Sequence, residues 1–282
     1  MSAWRAGNMP IGKFIDFAKD AGADGIEILD AFLYEPGVVR DHLPTEETIS
    51  NFVTEAMTAL DRTGLKVHAV SVTNDFNHED TARLRIEREK IELGISLAKR
   101  FSAGSVRVFS GNPTSSDGVE LVRYGTIDVL KDLANQGVVL ALENHGAVFA
   151  TPSRLFSILE PLENRNIGLC FDIGNFVLAD VNPVEAAKEL PIPKLIHIKD
   201  FKSVAKGSYR SNKGDYFDGC RLGEGVVPIR ETLDVLLSRL NGAPICLDIE
   251  LECGEDGVEA TRHGVRWLRE YLSSKSRQQA NS

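Results

Sequence analysis

Short apolar, β-branched runs alternate with longer amphipathic stretches along the whole chain. The runs at 24–29 (DGIEIL), 65–72 (LKVHAVSV), 105–109 (SVRVF), 138–143 (VVLALE), 167–172 (IGLCFD), 194–199 (KLIHIK) and 244–250 (PICLDIE) are nearly continuously apolar inside. Parallel strands covered on both faces have this pattern. Helical periodicity fills the intervals, over 10–21, 45–62, 78–101, 117–135, 152–161, 183–190, 228–240 and 255–273. Thr45 before an acidic turn, Thr151 before Pro152 and Asn182 before Pro183 are helix-start signals. Gly64, Gly104 and Gly137, each just ahead of a strand, mark helix ends.

Strict strand–helix alternation predicts βα units around a parallel sheet. Seven strands stand against eight helices, and the deficit lies ahead of the first helix, where Ser2-Ala3-Trp4 is a stump at most. The predicted fold is therefore a (β/α)8 TIM barrel with a clipped first strand, one domain over 1–282 with a disordered tail at 274–282. An open doubly wound sheet would carry a glycine-rich phosphate loop after its first strand, and the chain has neither GxGxxG nor GxxxxGK[ST]. Residues 200–227, rich in Gly, Ser and aromatics, are read as a long lid loop on the face where barrel enzymes keep their chemistry.

Composition narrows the partners. A formal net charge of −9 disfavours duplex DNA and anionic membranes, which call for a basic face. No apolar run reaches the roughly 18 residues of a membrane span, and the first residues lack the apolar core of a secretory signal. A cytoplasmic protein is expected. The four cysteines have no CxxC spacing, and Cys170 and Cys246 fall inside predicted strands, so they are read as reduced thiols.

The chemistry gathers at the strand ends. Glu143 closes ALENH, Asp172 closes LCFD, His197 sits in LIHIKD and Glu250 in CLDIELE. Steps of 29 and 25 residues separate the first three, about one βα repeat each, and 53 residues, a repeat plus the long loop, lead to Glu250. Three carboxylates and one imidazole thus converge, and such acids repel unless a cation lies among them. Oxygen-rich ligation with one histidine suits Mn²⁺ or Mg²⁺, with Co²⁺ or Zn²⁺ also compatible. Asp248, Glu250 and Glu252 share one strand face, and Glu250 is chosen by its distance into the strand. Glu27, His68, His145, Asn175, Lys199 and the loop residue Arg210 are read as substrate contacts. A buried ion pair for Glu27 and core packing for His68 are the structural alternatives.

ALENHG, CFDIGN, LIHIKD, RLGEGVVPI and CLDIELE, in this order, together with GADGIEIL and VRVFSG, resemble the xylose isomerase-like barrel superfamily. Within it the likeness is to the sugar phosphate isomerase/epimerase group, which shares its fold with endonuclease IV. The resemblance implies a divalent metal on Glu143, Asp172, His197 and Glu250, acid/base work by Glu143 and Glu250, a small carbohydrate substrate and a homo-oligomer. A ketose chelated through its carbonyl and a neighbouring hydroxyl is acidified at the carbon between them, so the two glutamates have a proton to move. Asn175 stands where many relatives carry a substrate-contacting histidine, and the histidines of a three-zinc nuclease site are missing. The HxKD pattern around Lys199 recurs in keto-inositol dehydratases, which keeps a lyase in view. A non-catalytic sugar-binding barrel is the alternative from another class.

Overall fold

The strands form where the apolar runs predict them. The structure, a computed structural model, describes residues 9–35, 40–113, 115–163, 165–250 and 257–280. Its parallel strands are β1 Gly25–Leu29, β2 Lys66–Ser71, β3 Ser105–Val108, β4 Val139–Glu143, β5 Ile167–Asp172 and β6 Leu195–Ile198, joined at the far edge by β10 Cys246–Ile249. They pair in the order β1-β2-β3-β4-β5-β6-β10, a nearly closed barrel. The predicted stump of a first strand, Ser2-Ala3-Trp4, lies outside the described residues.

The helices are α1 Ile11–Asp20, α2 Glu46–Thr63, α3 Thr81–Phe101, α4 Ser116–Leu133, α5 Gly146–Phe149, α6 Pro152–Leu159, α7 Ile173–Leu178, α8 Pro183–Glu189, α9 Ile229–Leu240 and α10 Gly257–Ala280. Short polar side chains start several of them. Thr45 accepts from the Thr48 amide at 3.2 Å, Asp80 from Ala82 at 2.8 Å, and Asn182 from Val184 at 2.9 Å. Each satisfies an amide that the helix cannot. Thr151 precedes α6 without making such a bond. Gly64 ends α2 in the left-handed conformation at φ 69°, whereas after α3 that role falls to Ser102 and not to Gly104. No helix among the described residues is long and apolar enough to cross a membrane.

Two corrections concern the predicted irregular segments. Part of residues 200–227 is a small antiparallel sheet: β7 Asp200–Val204 pairs with β9 Tyr216–Cys220, which pairs with β8 Tyr209–Arg210. The tail expected to be disordered from residue 274 instead continues α10 as far as Ala280, and residues 281–282 lie outside the described residues. Lys275 Nζ binds Asp234 Oδ2 on α9 at 2.8 Å, and Tyr271, buried, reaches the other Asp234 oxygen at 2.5 Å.

The barrel has two cores. The large outer one lies between strands and helices and includes Phe14, Ile28, Val70, Ile91, Val106, Leu142, Phe171 and Leu233. The inner one is small: Ala69, Ala141, Cys170 and Leu195, with Cys246 against them. Side chains two residues further along the same strands share their face. Glu143 follows Ala141, Asp172 follows Cys170, His197 follows Leu195, and Asp248 follows Cys246. The apolar floor therefore gives way to titratable groups toward the C-terminal end of the barrel, where such enzymes build their sites.

Candidate metal centre

Four strand ends meet. Glu143 and Asp172 are the last residues of β4 and β5, His197 is the third residue of β6, and Glu250 directly follows β10. Asp172, His197 and Asp248 are register partners across β5, β6 and β10. One ligand atom from each of Glu143, Asp172, His197 and Glu250 lies within 4.8 Å of all the others, and all four residues are buried.

Amide side chains hold the strand ends in place. Asn144 Nδ2 donates to the Asp172 carbonyl at 2.9 Å, and its Oδ1 accepts the Asp172 amide at 2.7 Å, tying β4 to β5 at the rim. Asp172 Oδ1 caps α7 by accepting the Asn175 amide at 2.8 Å, which leaves Oδ2 facing the cluster. Asn175 Nδ2 donates to Glu143 Oε1 at 2.8 Å. Asn175 thus orients a carboxylate, a role its position in the sequence alone does not reveal.

His197 is gripped on both sides. Nδ1 lies 3.7 Å from Glu143 Oε2 and 3.6 Å from Glu250 Oε1, while Nε2 lies 3.0 Å from Glu27 Oε2. Two cations enter the same space. Arg107 Nε is 3.1 Å from Glu143 Oε2, and Lys199 Nζ is 2.8 Å from Asp172 Oδ2 and 2.9 Å from Glu250 Oε2. Glu143 Oε2 and Asp172 Oδ2 are buried beside those cations, and His197 Nδ1 is buried between Glu143 and Glu250. Two carboxylate oxygens and one imidazole nitrogen that converge in this way form a donor set that fits a divalent cation.

The electrostatics follow from burial and crowding. Burial and the neighbouring Glu143 and Glu250 raise the Asp172 pKa to about 7 against the pull of Lys199. Burial opposes ionisation of Glu250 too, but Lys199, His197 and Arg107 outweigh it and bring the carboxyl down to about 2. At His197 burial disfavours the charged ring, yet the Cys170 sulfur and the Glu27 and Glu250 carboxylates raise its pKa well above the usual value. Asp248, buried beside Glu27, is pushed well above the usual carboxylate range, first by desolvation.

Of the predicted contacts, Lys199 and Asn175 join the cluster directly. Glu27 is fully buried beneath it against His197, the ion-pair arrangement and not an open substrate contact. His145 is exposed at the rim, its ring 4.2 Å from that of Phe109. His68 is not brought to the cluster. It is exposed near the start of β2 and lines a cavity of about 420 Å³ with Gly25, Lys194 and Cys246, at the opposite end of the barrel. Arg210 sits on β8 with its guanidinium 5.6 Å above the Tyr216 ring. Asp248 groups with Glu27 and His197 one layer deeper than Glu250, and Glu252 lies outside the described residues. Arg107, which the sequence suggests as a strand-interior salt-bridge partner, pairs with Glu143, and Asn144 is an addition to the predicted site. Arg107 follows Ser105 on the inward face of its strand, a signal open to sequence reading. Asn144 offers none.

A fixed point anchors the lid. Asp200 Oδ1 accepts the amides of Phe201 at 2.9 Å and Val227 at 3.2 Å, and Oδ2 those of Gly223 at 2.9 Å and Gly225 at 3.0 Å. One carboxylate three residues after His197 therefore pins both the departure and the return of the lid.

The model of the family described as xylose isomerase-like TIM barrel matches residues 15–271. The uncharacterized protein YihM of Escherichia coli is 24% identical over 191 residues, 66% of this chain and 52% of YihM. The chain thus spans about half the length of that curated relative. Among solved structures, the E. coli 3-keto-D-glucoside 4-epimerase YcjR superposes with a TM-score of 0.66 at 17% identity, covering 93% of this chain and 94% of its own. The IOLI protein, solved with a zinc atom, gives 0.68 at 18% identity, with 93% of each chain covered. At these identities the structural likeness concerns the fold.

Proposed function

Because the chain belongs to the xylose isomerase-like TIM barrel family, we propose that it is a divalent-metal-dependent isomerase or epimerase of a small sugar, keto-sugar or sugar derivative. The observation that carries this reading is the convergence of Glu143, Asp172, His197 and Glu250 within 4.8 Å at the C-terminal end of the barrel. These four would hold the ion, Mn²⁺ before Mg²⁺, Co²⁺ or Zn²⁺. When bound, a divalent ion supplies Lewis-acid stabilisation of an enediolate.

The chain's own residues supply the proton transfers. Glu143 and Glu250 flank His197 Nδ1 from two sides. One is suited to remove the proton from the carbon between carbonyl and hydroxyl, and the other to return it. Asn175 and Arg107 fix the Glu143 carboxylate. The exposed His145 ring stands at the rim against Phe109, where it can meet a substrate hydroxyl.

Proton NMR in D₂O, with Mn²⁺-loaded and metal-stripped protein, tests the proposal against ketoses, their phosphates and keto-inositols. Metal-dependent deuterium incorporation beside the carbonyl, with an isomer or epimer formed, is the expected result. Exchange that ends in an unsaturated product moves the protein to the lyases. Failure to bind any divalent ion, with no exchange, removes the enzyme reading in favour of a sugar-binding barrel.

A further inference from the structure

Lys199 stands on the metal's own ligands. Its ammonium bridges Asp172 Oδ2 at 2.8 Å and Glu250 Oε2 at 2.9 Å, with the side chain only 5% exposed. For Asp172 this is the oxygen that matters, because Oδ1 is committed to the α7 amide of Asn175. A dication coordinated to Asp172 Oδ2 would lie about 2 Å from it. In a buried site of low dielectric, an ammonium kept beside that same oxygen would then face the ion at close range, and like charges there repel strongly.

The fold makes room for this lysine. Gly174 has no positive φ to explain a glycine. What it provides is space: a Cβ there would lie 2.5 Å from Lys199 Cγ and 2.9 Å from the Phe201 ring. The lysine stem therefore runs through a slot that exists because residue 174 lacks a side chain. Arg107, the other cation of the site, is held differently, with Nη1 donating to the Val72 carbonyl at 3.1 Å and the guanidinium 4.0 Å above the Phe109 ring.

We propose that Lys199 is a built-in counter-cation that occupies the Asp172–Glu250 side of the centre and is displaced when the metal binds, so that it sets the metal affinity. The inference rests on the metal-site reading above and adds a regulator to it. Without the ion, the lysine offsets carboxylates that would otherwise repel. With the ion, its ammonium is released from two acids and becomes a donor for a substrate oxygen. Lys199 acts here first as an affinity-setting residue, and only its release from Asp172 and Glu250 frees it to meet the substrate.

The test is Mn²⁺ titration of the full chain by electron paramagnetic resonance of the free ion, for the wild type, Lys199→Met, Lys199→Arg and Gly174→Ala. Removing the competing charge in Lys199→Met is expected to tighten Mn²⁺ binding about tenfold or more, since a buried ion pair no longer has to be broken. Lys199→Arg, which keeps the charge, should stay near the wild type. Gly174→Ala, which crowds the stem, should tighten binding while retaining the lysine, and keeps the question open to test if Lys199→Met does not fold. In melting experiments Lys199→Met should lie below the wild type in EDTA and recover at saturating Mn²⁺. Unchanged or weaker Mn²⁺ binding by both Lys199→Met and Gly174→Ala, with the wild type binding the ion, overturns the proposal and leaves the metal site standing. No Mn²⁺ binding by any of the four proteins overturns both.

Discussion

His197 Nε2 lies 3.0 Å from Glu27 Oε2 with neither side chain exposed. A metal on Nδ1 needs the proton on Nε2, and a carboxylate at that distance favours this tautomer and fixes the ring. Glu27→Gln should therefore weaken Mn²⁺ binding about 10- to 100-fold, the usual cost of losing such a partner. Calorimetric titration measures the loss. Nitrogen chemical shifts of His197 should reveal a mixed tautomer in the variant, and an unchanged tautomer would mean that Glu27 merely fills space.

Glu143→Gln separates proton transfer from folding. The amide keeps the shape and can still meet Asn175, but it can neither take a proton nor neutralise Arg107. Solvent exchange into substrate should fall at least about 100-fold, as expected for the loss of a general base. The melting temperature should fall as well, because a buried guanidinium loses its carboxylate. Circular dichroism should show the barrel intact.

How far the sequence reveals this site depends on what each residue's signal is. Continuous apolar runs mark all seven barrel strands, because interior parallel strands need apolar side chains on both faces. Period two then gives the face of Glu143, Asp172, His197 and Glu250, and steps of about one βα repeat bring the first three to neighbouring strand ends. Depth is harder to read. His68 looks central in LKVHAVSV, yet β2 begins at Lys66, so it sits low on the strand. Glu27 and Asp248 are on inward positions, but only the structure shows that the two group together on His197. The lid sheet escapes the pattern because DFKSV is buried at its first two residues and more open beyond them. Its ladder is held by backbone bonds that leave no hydrophobic period.

Asp200→Ala should release the lid. Four amides, from Phe201, Gly223, Gly225 and Val227, lose one shared acceptor. Hydrogen bonds to an ionised group and stranded amides each carry about 1–3 kcal/mol, so a loss of roughly 3 kcal/mol or more is expected in urea unfolding. Limited proteolysis should cut first between β7 and β9. Asp200→Asn should restore little, since its amide nitrogen would face donors on one side. Equal protease resistance in variant and wild type would mean that the small sheet holds the lid unaided.

The end of α10 gives a pH signature remote from the candidate metal centre. Burial is the largest single influence on Asp234 and opposes its ionisation, but Lys275, Tyr271 and Arg230 together outweigh it, and the carboxyl lies below its ordinary value. A depressed carboxyl contributes stability that is fully present above the unfolded value, near pH 4, and is lost as pH falls through the lower folded value. The pair is 35% and 45% exposed, and solvent screening holds the contribution to about 0.2–1 kcal/mol. Asp234→Asn should thus be less stable than the wild type by that amount at pH 7, and the two curves should converge as pH falls through the depressed folded value. A difference that persists in acid would trace to the fit of the amide beside Lys275 rather than to charge, since the asparagine oxygen can still accept from Tyr271. Urea unfolding at several pH values, read alongside the amide exchange rates of residues 272–277, decides between them. Faster exchange in the variant at pH 7 alone is the outcome expected if Lys275 ties the last turns of α10 to α9.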